Sequence, residues 1–218
     1  MKKNMYSLML GEEIIRAVDK LAEENNTNRS NMINQILAEH LSLTTPEKHV
    51  RSIFEEIDRI IGRNQDYNLY FEPNDMTMSI KSSLKYHYRP TIRYEVEMYR
   101  IPEQTIGQLK IIFRTTSSDL LLELTRFFKI WMQLENIYIS HFFTRDAIEY
   151  GMESGKFWRT FALPHDSVYS ETQIGEAISN YISAFDDILK DYLCGNFGST
   201  QEIEHRYLQY LNSGALII

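Results

Sequence analysis

Side chains that ligate metals or move protons near neutrality are few in this chain and widely separated. His87, His141, His165 and His205 lie far apart, unlike the close pairs of a metal site, so only folding could gather them and no metal is expected. Cys194, the single cysteine, stands beside Gly195 with no base next to it, which suits packing better than nucleophilic attack. One cysteine cannot close an intramolecular disulfide, and a cytoplasmic setting follows. His165-Asp166 could exchange a proton, but no nucleophile or oxyanion motif accompanies it. Gly151 and Gly155 lack the rest of a phosphate-cradling fingerprint. These residues point away from an enzyme and away from any bound cofactor.

Recognition is better served, and by the N-terminus. Residues 4–10 read as a strand with Tyr6, Leu8 and Leu10 on one face and Met5, Ser7 and Met9 on the other. From Glu12 to Glu24 the period becomes helical, with an apolar stripe of Ile14, Ile15, Val18, Leu21 and Ala22. Asn25-Asn26 suits the helix exit, and Asn28 or Ser30 caps a second helix striped by Met32, Ile33, Ile36, Leu37 and Leu41. A strand and two helices in so few residues cannot bury their apolar face securely, and a lone strand leaves both backbone edges unpaired. Pairing with the same strand of a second copy solves both problems, which predicts a homodimer with a two-stranded antiparallel ribbon over four helices.

Three stretches, Tyr-Ser-Leu-Met-Leu-Gly-Glu-Glu-Ile-Ile, Leu-Ala-Glu-Glu-Asn-Asn and Asn-Arg-Ser-Asn-Met-Ile-Asn, lie within residues 4–43. This segment resembles the ribbon-helix-helix family of DNA-binding repressors, the MetJ/Arc type. The resemblance implies that Met5, Ser7 and Met9 face base edges. It also implies that Asn28, Arg29 and Ser30 hold a phosphate at the start of the second helix, with Lys2 and Lys3 reaching further phosphates. Arg29 opposes the helix dipole unless an anion lies nearby, which favours that contact. The family commonly presents Arg, Lys, Asn, Gln or Thr on its outward strand face. Here Met5 and Met9 offer apolar contact alone, leaving Ser7 as the hydrogen-bonding reader. Two functions follow: a dimeric transcriptional regulator that binds palindromic duplex DNA through the major groove, or an interaction module that keeps the unit only for assembly.

The remainder of the chain is a different kind of material. The first 49 residues hold six Lys/Arg against seven Asp/Glu, so −6 of the formal charge of −7 falls on residues 50–218, which ill suits a second DNA clamp. Leu43-Thr44-Thr45-Pro46 interrupts helical period and separates a domain over 1–45 from one over 50–218. The second opens with a helix carrying Val50, Ile53, Phe54, Ile57, Ile60 and Ile61 up to Gly62. Strand patterns follow over 67–72, 76–84, 86–99, broken near Pro90, and 107–115, with turns at Asn74-Asp75 and Pro102-Glu103. Residues from Ser118 to about Tyr138 read as one helix with Leu120, Leu124, Phe127, Phe128, Trp131, Leu134 and Ile137 inward.

Residues 141–164 allow a strand around His141–Thr144 leading into a short helix, or a strand through Phe142–Tyr150 with a turn over 151–155. Two capping boxes, Ser170 with Gln173 and Ser199 with Glu202, open the last helices. The fold class is α+β: an N-terminal ribbon-helix-helix dimerisation domain, then a larger α+β domain whose antiparallel or mixed sheet is covered by helices. Among 14 Tyr and 11 Phe, Tyr67, Tyr70, Phe71, Tyr86, Tyr88, Tyr94 and Tyr99 alternate through the strands. They could line a small-molecule effector pocket or pack helices and subunits, so a dimer or tetramer is expected. The run from Phe142 to Gly151, followed by Gly175-Glu176-Ala177, faintly resembles nucleotidyl-cyclase-like domains, without their pair of metal-binding carboxylates. No apolar run is long enough to span a bilayer, so no membrane partner is expected.

Overall fold

A computed structural model describes residues 5, 7–41, 43–64, 66–71, 76–83, 91–153 and 155–218, with the side chains of Tyr70 and Phe71 left aside. The elements run α1 (Glu12–Glu24), α2 (Arg29–His40), α3 (Pro46–Ile61), β1 (Tyr67–Phe71), β2 (Thr77–Ser83), β3 (Thr91–Met98) and β4 (Gly107–Phe113). They continue with α4 (Ser118–Tyr138), a 3-10 turn (Ser140–Phe142), β5 (Tyr150–Glu153), β6 (Lys156–Phe161), α5 (Glu171–Leu193) and α6 (Thr200–Asn212). The strands form one sheet in the order β1-β2-β3-β4-β6-β5, antiparallel throughout. The larger domain is therefore α+β, and its sheet is antiparallel rather than mixed.

Alternation decides which face of the sheet is covered. Ile92, Tyr94, Val96 and Met98 of β3 are buried, as are Leu109, Ile111 and Phe113 of β4, while Glu95, Glu97 and Lys110 take the other face and pair there. Helices α4 and α5 lie over the buried face. Phe128 stacks on Phe157 with ring centroids 4.6 Å apart, and Phe185 meets Tyr94 edge-on, contacts that add specific geometry to apolar burial. Helix α3 packs on α5 at close range: a Cβ on Gly175 would come within 2.9 Å of the Ile53 carbonyl oxygen, so only glycine permits this approach. Thus α3 docks on the larger domain. Leu216 and Ile218 are buried in the same core, so the C-terminal residues are docked.

Several expectations require correction. No strand is formed by residues 5 or 7–10 in the single chain, since a ribbon strand needs a partner for its backbone groups. Neither alternative for 141–164 holds. The chain makes a 3-10 turn, then a loop in which Asp146 adopts a φ of 61°, then the hairpin β5–β6, whose turn passes through Gly155 at a φ of 77°. The cyclase-like stretch is therefore mostly loop. Ile137 is exposed, and Ile139 just beyond the helix is buried in its place. The Ser170 capping box is complete, but only half of the second forms: Ser199 accepts from the Glu202 N–H, whereas the Glu202 carboxylate accepts from the Gly198 N–H. The turn at Asn74-Asp75, Pro90 and the residues His87, Tyr86 and Tyr88 lie outside the described residues.

Candidate nucleic-acid interface

Local chemistry shapes the N-terminal unit as its sequence implies. Asn26 takes a φ of 48°, a left-handed conformation that asparagine tolerates at a helix exit. The Asn28 side chain then caps α2, accepting from the Asn31 N–H at 2.9 Å. The two helices meet through Val18, Ala22 and Met32, with Ile33 packed alongside, a cluster separate from the main core that begins at Val50. Around that small cluster Leu8, Ile14, Leu21, Ile36, Leu37 and Leu41 stay exposed, Leu8 and Leu41 at 63%. Covering six such half-exposed side chains on each of two copies is worth on the order of 10 kcal/mol. That is comparable with an association cost of about 4–15 kcal/mol, so a stable pair also needs the backbone bonds of a ribbon.

The residues implied to contact DNA divide into three groups. Met5 and Met9 are fully exposed and Ser7 is exposed between them, open to any partner. Lys2, Lys3 and the intervening Tyr6 lie outside the described residues. At the start of α2, Asn28 is committed to capping, Ser30 is exposed, and Arg29 is already engaged. Its Nε and Nη2 donate to the two carboxylate oxygens of Asp19 at 2.6 Å each. This bond and its attraction hold the Asp19 carboxyl below, and the Arg29 guanidinium above, their ordinary ranges. The Arg29 anion expected from the helix dipole is thus supplied from α1. An exposed pair of this kind is weak and salt-sensitive, so a phosphate must displace it or lie on the first-turn N–H groups instead.

The other polar constellations belong to the larger domain and face inward. Asp186 of α5 is buried and accepts from Tyr67 at 2.8 Å, Ser82 at 3.0 Å, Tyr94 at 2.7 Å and Lys190 at 2.7 Å. Burial, reinforced by the Asp186 charge, pushes the Tyr67 and Tyr94 hydroxyls far above the phenol range, so both remain donors. Tyr67 and Tyr94, with Ser82, consequently fasten three strands to α5. A second buried cluster pairs Glu135 of α4 with Arg159 of β6 at 3.0 Å, both wholly inaccessible. Arg159 also donates to the Thr160 carbonyl and lies 4.5 Å from the Tyr181 ring centroid. Burial, the largest single influence, lowers the Arg159 pKa, but the charge and hydrogen bond of Glu135 together with Tyr181 and Tyr150 outweigh it and the guanidinium stays charged.

Neither cluster was visible in advance. Arg159 and Asp186 sit in otherwise apolar patterns, and the available signal was a charged residue at a position whose neighbours two or four residues away are core. His141 packs against Phe142, His205 bonds Gln209, and His165 lies in an exposed loop. Among the described residues no group of three His, Cys, Asp or Glu could hold a metal ion. Cys194 caps the end of α5 and is exposed. No helix among the described residues is long and apolar enough to cross a membrane. In comparison with known proteins the chain matches no family model, no curated protein and no solved structure.

Proposed function

We propose that the chain is a homodimeric DNA-binding regulator of ribbon-helix-helix type whose larger domain supports further oligomerisation or responds to a small molecule. One observation carries this reading: the exposed stripe of Leu8, Ile14, Leu21, Ile36, Leu37 and Leu41 around a cluster of only three buried side chains. A second copy, adding its own stripe and a ribbon strand, covers that surface. The pairing would set Met5, Ser7 and Met9 side by side with their symmetry mates on the ribbon's outer face, where duplex DNA is read in the major groove. The first-turn N–H groups of Arg29 and Ser30 in α2 supply the phosphate contact.

A second reading has its own support. Two methionines among three outward positions, and an Arg29 already bonded to Asp19, favour an assembly module without sequence readout. Sedimentation of the full chain, together with duplex-DNA titrations at several salt concentrations, separates these cases. The regulator sediments as a dimer or tetramer and binds duplex with an affinity that falls steeply as salt rises; the assembly module shows the first behaviour only. Leu8→Asp should abolish dimerisation, because two carboxylates would enter one shared apolar core. A variant whose state of association is unchanged removes the ribbon from the interface.

A further inference from the structure

Helices α2 and α3 border an open pocket of about 240 Å³ whose charged residues Glu39, Lys48, Arg51 and Glu55 are exposed. One wall comes from Gln35, Ala38 and Glu39 of α2, the other from Lys48, Ser52 and Glu55 of α3. Between the helices the Leu43 N–H donates to the Ala38 carbonyl at 2.8 Å, and Thr45 caps α3, accepting from the Lys48 N–H. At 100° per residue, Gln35, Ala38 and Glu39 lie on the side of α2 roughly opposite Ile33, Ile36, Leu37 and Leu41. Covering the apolar stripe with a second copy therefore leaves the pocket open.

Its charges are the informative feature. Glu39, Lys48 and Glu55 form no ion pair among the described residues, whereas Glu47 at the rim is held by Arg100 at 2.6 Å. Two carboxylates and one ammonium thus border one space without being paired to one another. A volume near 240 Å³ equals about eight waters at ~30 Å³ each and falls below the ~300–1,000 Å³ of pockets for drug-sized ligands. A divalent cation is opposed by Lys48 and Arg51 in the same lining, and a dianion by the glutamates. A small molecule carrying both charges matches both sets.

We propose that this pocket binds a free L-amino acid, its ammonium toward Glu39 and Glu55 and its carboxylate toward Lys48. Such a ligand touches α2 on one side and α3 on the other, and so stiffens the joint between the N-terminal unit and the larger domain. The proposal adds an effector site to the regulator reading, yet its binding step is measured without DNA and stands or falls separately.

Titration calorimetry on the full chain with each of the twenty L-amino acids should find at least one that binds saturably, one per chain. The matching amine and the matching acid, each lacking one of the charges, should bind at least tenfold more weakly. Glu39→Gln, a surface change that leaves the melting temperature unaltered, and Ser52→Trp, which fills the space, should each weaken binding at least tenfold. Amide exchange across 41–47 should slow in the complex. Failure of all twenty to bind saturably overturns the proposal, as does binding that survives both variants, is matched by a singly charged analogue, or leaves exchange in that segment unchanged.

Discussion

Helices α1 and α2 enclose Val18, Ala22 and Met32 between them, whereas α4 and α5 enclose a continuous core running from Leu120 to Leu189 and onto four central strands. The contrast extends to polar groups. In the larger domain the charges are buried: Asp186 accepts from several partners, and Glu135 and Arg159 pair with each other. In the N-terminal unit Arg16, Lys20 and Arg29 pair on the surface with Glu12, Glu24 and Asp19. One region is complete as a single chain. The other has the local signals of structure, caps and amphipathic helices, but lacks the tertiary burial that supplies most helical stability in proteins. The proposed pairing with a second copy rests on that difference.

The sharpest way to break this comparison is at the buried ion pair. Glu135→Ala leaves the Arg159 guanidinium inaccessible and without its carboxylate, a change that costs about 3–5 kcal/mol. Replacing both members, Glu135→Met with Arg159→Leu, should restore most of that loss, since well-packed apolar residues of similar volume substitute for buried pairs. Denaturant unfolding of the two variants measures the difference. The corresponding loss at the surface pair, Glu12→Ala, should leave the unfolding midpoint in place; an equal loss at both sites would erase the distinction between the regions.

The same pair explains where the sequence could and could not be read. Glu12–Glu24, Ser118–Tyr138 and the helix opened by Ser170 were legible from long periodic stripes, the last two also from caps at Ser117 and Ser170, and the first four strands because β-branched and aromatic residues alternate. The hairpin β5–β6 was not. Its inward positions on β6 are Phe157, Arg159 and Phe161, and the arginine interrupts the apolar period; its partner Glu135 lies on a helix twenty-four residues earlier. Across the hairpin Gly151 opposes Trp158, whose indole occupies the space a Cβ would need, so the glycine that suggested a turn is instead the floor for a tryptophan. At the candidate interface, Asn28 and the apolar stripe were legible, but the bond from Arg29 to Asp19 was not, because it depends on how two helices sit together.

A gentler probe is acid. Hydrogen bonding from Lys110 lowers the Glu97 carboxyl, and its own backbone N–H with His49 lowers Glu171, both from an ordinary 4.5; Arg29 lowers Asp19 from 3.8. Each folded pKa lies beneath the unfolded one, so each carboxylate contributes stability that is present above the unfolded value and lost as pH falls through the folded value. Melting temperatures should therefore decline as pH drops below about 4.5. Raising salt from 0.1 to 1 M shortens the screening length from about 10 to 3 Å. Carboxyl titrations by NMR should then show Asp19 returning further toward its ordinary value than the half-buried Glu97. The reverse order would mean that the N-terminal unit shelters its charges better than its exposure indicates.

The smallest effect bears most directly on DNA. If the phosphate must take Arg29 from Asp19, then Asp19→Asn releases the guanidinium and removes a negative charge from the same surface. Every duplex should bind more tightly with little change in the salt slope, whereas Arg29→Ala should lower the slope by about one unit for each arginine lost, because each neutralised phosphate releases its counterions. If Arg29 remains on Asp19 in the complex and the α2 N–H groups hold the phosphate, Arg29→Ala should leave the slope unchanged. Ser7→Ala acts on a different quantity: losing one hydrogen bond to a base edge reduces discrimination between a selected site and random duplex by roughly 1 kcal/mol while sparing random binding. Anisotropy titrations of the three variants at several salt concentrations separate slope from selectivity. A chain in which neither quantity moves in any folded variant has no readout in its ribbon, and the exposed Met5, Ser7 and Met9 face then belongs to protein assembly.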